Sequence, residues 1–115
     1  MTTCKPGAVI LVQYPFTDMS GTKKRPAVVL SSEAYAGRYG DVAIMPLTSV
    51  RQSEAGLFLR HWTDAGLLKP TWIKPMIATV AGRLVERELG AIHAEDRIRL
   101  REALASILDR SLTES

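Results

Sequence analysis

The sequence predicts a mainly β fold, a small and strongly bent antiparallel sheet or barrel with one helix packed across it at the C-terminus. Three short apolar runs, at residues 8–14, 26–30 and 41–47, are each bounded by proline, glycine or polar turn formers, as buried strands are. Beyond Gly90 the apolar spacing changes from that of strands to that of a helix. The 115 residues are read as a single domain, 1–115, able to bury a modest core without disulfide or metal staples but too short for a second core.

The first strand, Ala8-Val9-Ile10-Leu11-Val12-Gln13-Tyr14, opens after Pro6-Gly7 and closes at Pro15. Residues 17–22 are rich in turn formers and make a loop. Pro26 is expected as the first residue of the second strand, where its missing N–H does no harm, so that Arg25 sits at the strand's mouth. A polar loop around Gly37–Gly40 leads into the third strand, where Pro46 suggests a bulge or strand end just before Thr48-Ser49. Residues 57–62 are a candidate fourth strand and 72–80 a fifth, interrupted by Pro75. From Ala94, the residues Leu100, Ala103, Leu104, Ile107 and Leu108 fall on one face of a helix of about four turns. Glu95 and Asp96 at its start and Arg110 near its end suit the helix dipole.

Composition removes several classes of function. With 46% apolar and 23% charged residues the chain is of ordinary globular composition. Its lone cysteine, Cys4, can form neither an intramolecular disulfide nor a thiolate-rich metal site. No run approaches the ~18 apolar residues of a membrane span, and no secretion signal opens the chain, so a cytoplasmic protein without membrane contact is expected. The eight glycines form no phosphate-binding loop and no serine nucleophile elbow is present. His61 and His93 are far apart in sequence and lack metal-ligand spacing, so they read as surface or capping histidines, with no metal and no cofactor expected.

A net charge of +3 and a pI near 9.3 favour a polyanionic partner without requiring one. The focused charge is Lys23-Lys24-Arg25 in a loop; Arg97, Arg99 and Arg101 are spread along the helix. If Thr48-Ser49 lay beside Arg25, a forked guanidinium and two hydroxyls would make a cradle for a phosphodiester. Pattern alone leaves open the alternative of a solvated hairpin loop and a local turn.

The ordered segments Gly7-Ala8-Val9-Ile10-Leu11-Val12, Tyr14-Pro15-Phe16-Thr17-Asp18, Lys24-Arg25-Pro26-Ala27-Val28-Val29-Leu30 and Asp41-Val42-Ala43-Ile44-Met45-Pro46-Leu47-Thr48-Ser49 resemble the MazF/PemK family of toxin endoribonucleases. Residues 65–75 and Leu89-Gly90 look like its PemK-like branch, so the resemblance covers most of residues 7–110. It implies an SH3-like small antiparallel barrel of the MazF/PemK/CcdB type, a homodimer, and a cognate antitoxin protein that occupies the RNA groove. It also implies metal-independent cleavage of single-stranded RNA, such as mRNA, by attack of a ribose 2′-OH on the adjacent phosphate. The family's catalytic arginine maps onto Arg25 and its phosphate-contacting threonine onto Thr48, with Thr17, Lys23, Lys24, Ser49 and Lys74 as RNA contacts.

The chain departs from the family in one respect. Some members place an acidic or amide side chain and an arginine on a later strand, whereas residues 73–79 here hold neither, and Lys74 is the residue left to touch phosphate. Two other readings of the same fold are a protein-binding toxin like the related gyrase poisons and a plain SH3-like interaction module. Neither requires a phosphate cradle.

Overall fold

A computed structural model describes residues 4–15 and 22–113. Six strands form one antiparallel sheet: β1 (Ala8–Pro15), β2 (Thr22–Val29), β3 (Asp41–Thr48), β4 (Trp72–Ile73), β5 (Ala78–Ala81) and β6 (Val85–Ala91). Two helices accompany them, α1 (Glu33–Tyr39) and α2 (Ala94–Ile107). The strand order is β4-β3-β2-β1-β6, with β5 pairing β3 beside β4. Among the described residues no ladder joins β6 to β4 or β5.

The sheet is buried on both faces at its centre, which is why its central strands read as continuous apolar runs rather than alternating ones. Side chains of successive residues point to opposite faces. Val9, Val28, Met45 and Leu47 thus enter one core, closed by Leu59, Ile73, Leu100 and Ala103. Ile10, Val12, Ala27, Val29, Val42 and Ile44 enter the other. The mainly β architecture and the C-terminal helix match the sequence expectation.

Pro26 departs from its expected place at the start of a strand: it lies inside β2, opposite Leu11. The β2–β3 ladder begins only at Ala27, so one edge of β2 is unpaired at Pro26, a position where a missing N–H is tolerated. Pro46 likewise lies within β3, where the strand's outer edge changes partner. β5 pairs with Asp41 to Ile44 and β4 with Leu47 and Thr48. Pro75 falls in the break between β4 and β5, and the Lys74 N–H bridges the gap by donating to the Pro46 carbonyl at 2.9 Å.

Residues 57–62 are not a strand. A 3-10 turn spans Ala55–Leu57, Phe58 makes an isolated bridge to Trp72, and turns follow. Leu57 and Leu59 are buried through this irregular path, so the apolar pattern reports burial without a ladder. The expected loop at 37–40 is instead the end of α1. Ser32 caps that helix by accepting the Tyr35 N–H at 3.2 Å, and Gly40 ends it at φ +72°. β6 has no apolar signature in the sequence, because Glu86, Arg87 and Glu88 give it the charged surface of an edge strand.

The expected helix start at Ala94 is observed, with Glu95 and Asp96 in the first turn and His93 as N-cap. Leu100 and Ala103 are buried, whereas Ile107 and Leu108 are exposed at the helix end, and Arg110 lies beyond α2 in a separate 3-10 turn. Asp96 does more than suit the dipole. Its carboxylate is 1% exposed and accepts the N–H groups of Arg60 and His61 at 3.1 and 2.8 Å, clamping the turn at 60–66 onto α2. Asp96→Ala removes the acceptor from both N–H groups. We expect urea denaturation to show a loss of about 2–4 kcal/mol, since removing such a charged acceptor leaves its donors unsatisfied. No described helix is long and apolar enough to cross a membrane.

Candidate functional site

Strands β2 and β3 carry the two principal candidates to one cleft. Ala27 pairs Pro46, Val28 pairs Met45 and Val29 pairs Ile44. The ladder stops there, and beyond it Arg25 in β2 and Thr48 at the end of β3 line one cleft. Arg25 is held from its other side by pairing with Val12 in β1. Its side chain is half-buried and its Nε is shielded from solvent.

Thr48 ends β3 in a local turn, its Oγ1 accepting the Val50 N–H at 3.0 Å. That bond uses an oxygen lone pair and leaves the hydroxyl proton available for donation. The local-turn reading of Thr48 and the phosphate-donor reading are therefore compatible. Ser49 follows, exposed.

A cleft of about 500 Å³ opens beside this pair. Leu11, Pro26, Leu47, Leu67 and Leu89 give it an apolar lining; Lys24, Arg25, Thr48, Ser49, Lys69 and Arg87 supply cations and hydroxyls, with Glu88 as an acidic member. Lys24 also meets Glu86 at 3.6 Å, an exposed pair of little energetic weight. Arg87 stands opposite Leu11, which in turn stands opposite Pro26, so three strands present one row to the cleft.

The far wall is fixed by two glycines. The backbones at 65–66 and 89–90 pass so close that a Cβ on Gly66 would meet the Leu89 carbonyl, and one on Gly90 the Ala65 carbonyl. Gly66 also adopts φ +83°, which only glycine takes without strain. The loop carrying Lys69 is thereby held against the strand carrying Arg87.

Not every sequence candidate is gathered here. Thr17 lies outside the described residues. Lys23 is exposed and Lys74 half-buried, and neither lines the cleft. Lys69 and Arg87 line it but went unread as candidates, because nothing local reveals that a post-turn lysine and an edge-strand arginine face the same space. Cys4 is elsewhere, lining a separate cavity with Arg83 and Val85. Burial, and then the charge of Glu88, push its thiol pKa up, so it is no thiolate nucleophile at neutral pH.

The two histidines, far apart in sequence, come together in the fold. His61 and His93 stack with ring centroids 3.7 Å apart, and Glu95 completes a cluster away from the cleft. The capping role holds for His93, whose Nδ1 accepts the Glu95 N–H at 3.1 Å.

A model of the family described as PemK-like, MazF-like toxin of type II toxin-antitoxin system matches residues 5–108. No curated protein matches the chain. Among solved structures, a chain of MazE-MazF (Form-III) from Deinococcus radiodurans is similar at 22% identity and TM-score 0.71, covering 91% of this chain and 95% of that one. Mycobacterium tuberculosis toxin MazF-mt6 is similar at 19% identity and TM-score 0.70, covering 86% and 93%. An endoribonuclease in complex with its cognate antitoxin, from Mycobacterial species, gives 19% identity and TM-score 0.70, covering 89% and 91%. At these identities the solved structures speak for a MazF-like fold, while the family match spans nearly the whole sequence. The chain belongs to the PemK/MazF family of toxins of type II toxin-antitoxin systems.

Proposed function

We propose that this toxin is a metal-independent endoribonuclease that cleaves single-stranded RNA by attack of a ribose 2′-OH on its own 3′-phosphate. The observation that carries this reading is that Arg25 and Thr48 line one cleft, whose other cations come from β2, β6 and the loop after Gly66. The similar Mycobacterial protein named an endoribonuclease supports it.

The 2′-oxygen forms a bond to phosphorus as the bond to the 5′-oxygen breaks. The 2′ proton leaves to a base and the departing 5′-oxygen takes one up, giving a cyclic phosphate and a 5′-OH end. The nucleophile belongs to the substrate, so neither a protein nucleophile nor a metal-bound hydroxide is needed. Arg25 acts electrostatically through its planar guanidinium, which offers donors but no acceptor. As charge grows on the non-bridging oxygens, the guanidinium and the Thr48 hydroxyl stabilise it more than they stabilise the ground state. Lys24, Lys69, Arg87 and Ser49 hold the flanking phosphates, with Lys23, Lys74 and Thr17 as outer contacts.

The active species in this reading is a homodimer, with RNA crossing residues 15–25 of each subunit, and the cognate antitoxin blocks the same groove. Antitoxin pairing is supported by the similar structures whose names include MazE or a cognate antitoxin.

Incubation of purified protein with a long RNA in EDTA tests the reading, with Arg25→Ala as control. Cleavage by wild type alone supports it; cleavage only after divalent metal is added sinks it. The cleft cations have a separate signature. Lys24→Ala, Lys69→Ala and Arg87→Ala each weaken binding of a 2′-deoxy analogue and lower the slope of log K against log salt by roughly 0.7, the loss of one phosphate contact on a single strand. An unchanged slope in all three removes RNA from this cleft.

A further inference from the structure

The clamp between the turn at 60–66 and α2 carries a second group of chemically competent side chains. Asp96 holds the Arg60 and His61 N–H groups from below, and above it the His61 and His93 rings lie 16° from parallel. His61 Nε2 is 3.3 Å from Glu95 Oε2, and its Nδ1 is 3.7 Å from the Asp64 carboxylate. One ligand atom from each of His61, His93 and Glu95 lies within 4.8 Å of the other two.

We propose that His61, His93 and Glu95 form a binding site for one divalent transition-metal ion of the zinc type, which braces the turn at 60–66 against the start of α2. Two imidazoles and one carboxylate are a donor set for such an ion, whereas calcium and magnesium require more oxygens than this cluster offers. Ligands bonded at ~2.0–2.1 Å to a tetrahedral ion stand about 3.3 Å apart, the spacing already held by His61 and Glu95. The ion replaces the hydrogen-bonded proton between them.

Asp64 lies on the far edge of the His61 ring. Its carboxylate stands 3.7 Å from Nδ1, which leaves the Nε2 side of the ring facing Glu95. Glu95 is exposed at the start of α2, with its carboxylate already turned toward His61 Nε2. To join, the His93 ring turns about its Cβ–Cγ bond and gives up its N-cap hydrogen bond to the Glu95 N–H. Metal binding therefore competes with helix capping, which sets a moderate affinity. The turn so braced runs directly into Gly66, Leu67 and Lys69 of the cleft wall. The site shares no residue with the cleft that Arg25 and Thr48 line and stands independently of the ribonuclease reading.

The test is calorimetric titration of metal-stripped, tag-free protein with Zn²⁺ in a non-coordinating buffer, with thermal unfolding and circular dichroism in parallel. Wild type is expected to bind one Zn²⁺ per chain with a dissociation constant below 100 μM by order of magnitude, and to melt higher with added zinc by mass action. His61→Ala, Glu95→Gln and His93→Ser are each expected to lose at least about tenfold in affinity and most of the zinc-dependent melting shift, an order of magnitude being ordinary for loss of one ligand. Serine keeps an N-cap at position 93, so that variant separates ligation from helix capping. Co²⁺ should give a visible absorption band in wild type that His61→Ala lacks. Absence of Zn²⁺ binding by wild type, or equal affinity in folded His61→Ala and His93→Ser, overturns the proposal.

Discussion

Arg25→Ala should lower single-turnover cleavage of a fluorogenic oligonucleotide by at least ~10²–10³-fold at saturating RNA, the loss expected for one preorganised donor. Affinity for a non-cleavable 2′-deoxy analogue should fall far less, because the guanidinium meets charge that is fully developed only in the transition state. Arg25→Lys keeps the charge but loses the planar fork, so it should resemble alanine more than wild type. Thr48→Val keeps the β-branched shape and deletes the donor hydroxyl. It should reduce cleavage without unfolding the sheet, although it also removes the acceptor for the Val50 N–H. Circular dichroism separates folding from chemistry. Should folded Arg25→Ala cleave as fast as wild type once saturated, Arg25 is a binding residue only.

The second large effect lies in the substrate. An RNA carrying a single 2′-deoxy sugar at its scissile position should resist cleavage entirely while binding normally, since the nucleophile is gone and every phosphate contact is kept. All-DNA of the same sequence should also remain intact. Denaturing gel electrophoresis of the two oligonucleotides beside the all-RNA control reads this directly. Cutting at the deoxy position at the control rate would mean that water or a protein group attacks the phosphorus.

What the sequence disclosed follows from how local each signal is. β1, the core of β2 and β3 were legible because β-branched runs between proline and glycine report burial on both faces of a sheet. α2 was legible from its apolar spacing and its acidic first turn. α1 buries no residue, so it is specified by Ser32 and Gly40 at its ends rather than by an apolar stripe. β6 was hidden because an edge strand exposes charge where a central strand shows valine.

Leu57 and Leu59 misled in the opposite sense, since side chains on an irregular turn can fill a core as well as those on a strand. At the site, Arg25 and Thr48 were identified through the family resemblance. That both line one cleft depends on long-range strand packing that neither local sequence encodes. Lys69, Arg87 and the stacking of His61 on His93 depend on long-range packing in the same way, and Gly66 against Gly90 is the contact that sets the first of these.

Analysis of the RNA ends produced in EDTA tests the central claim most directly. Wild type should leave a 2′,3′-cyclic phosphate on one fragment and a 5′-OH that polynucleotide kinase labels without prior phosphatase treatment on the other, and Arg25→Ala should yield neither above background. Fragments ending in 3′-OH and 5′-phosphate, or a complete dependence on added metal, would contradict attack by the 2′-OH.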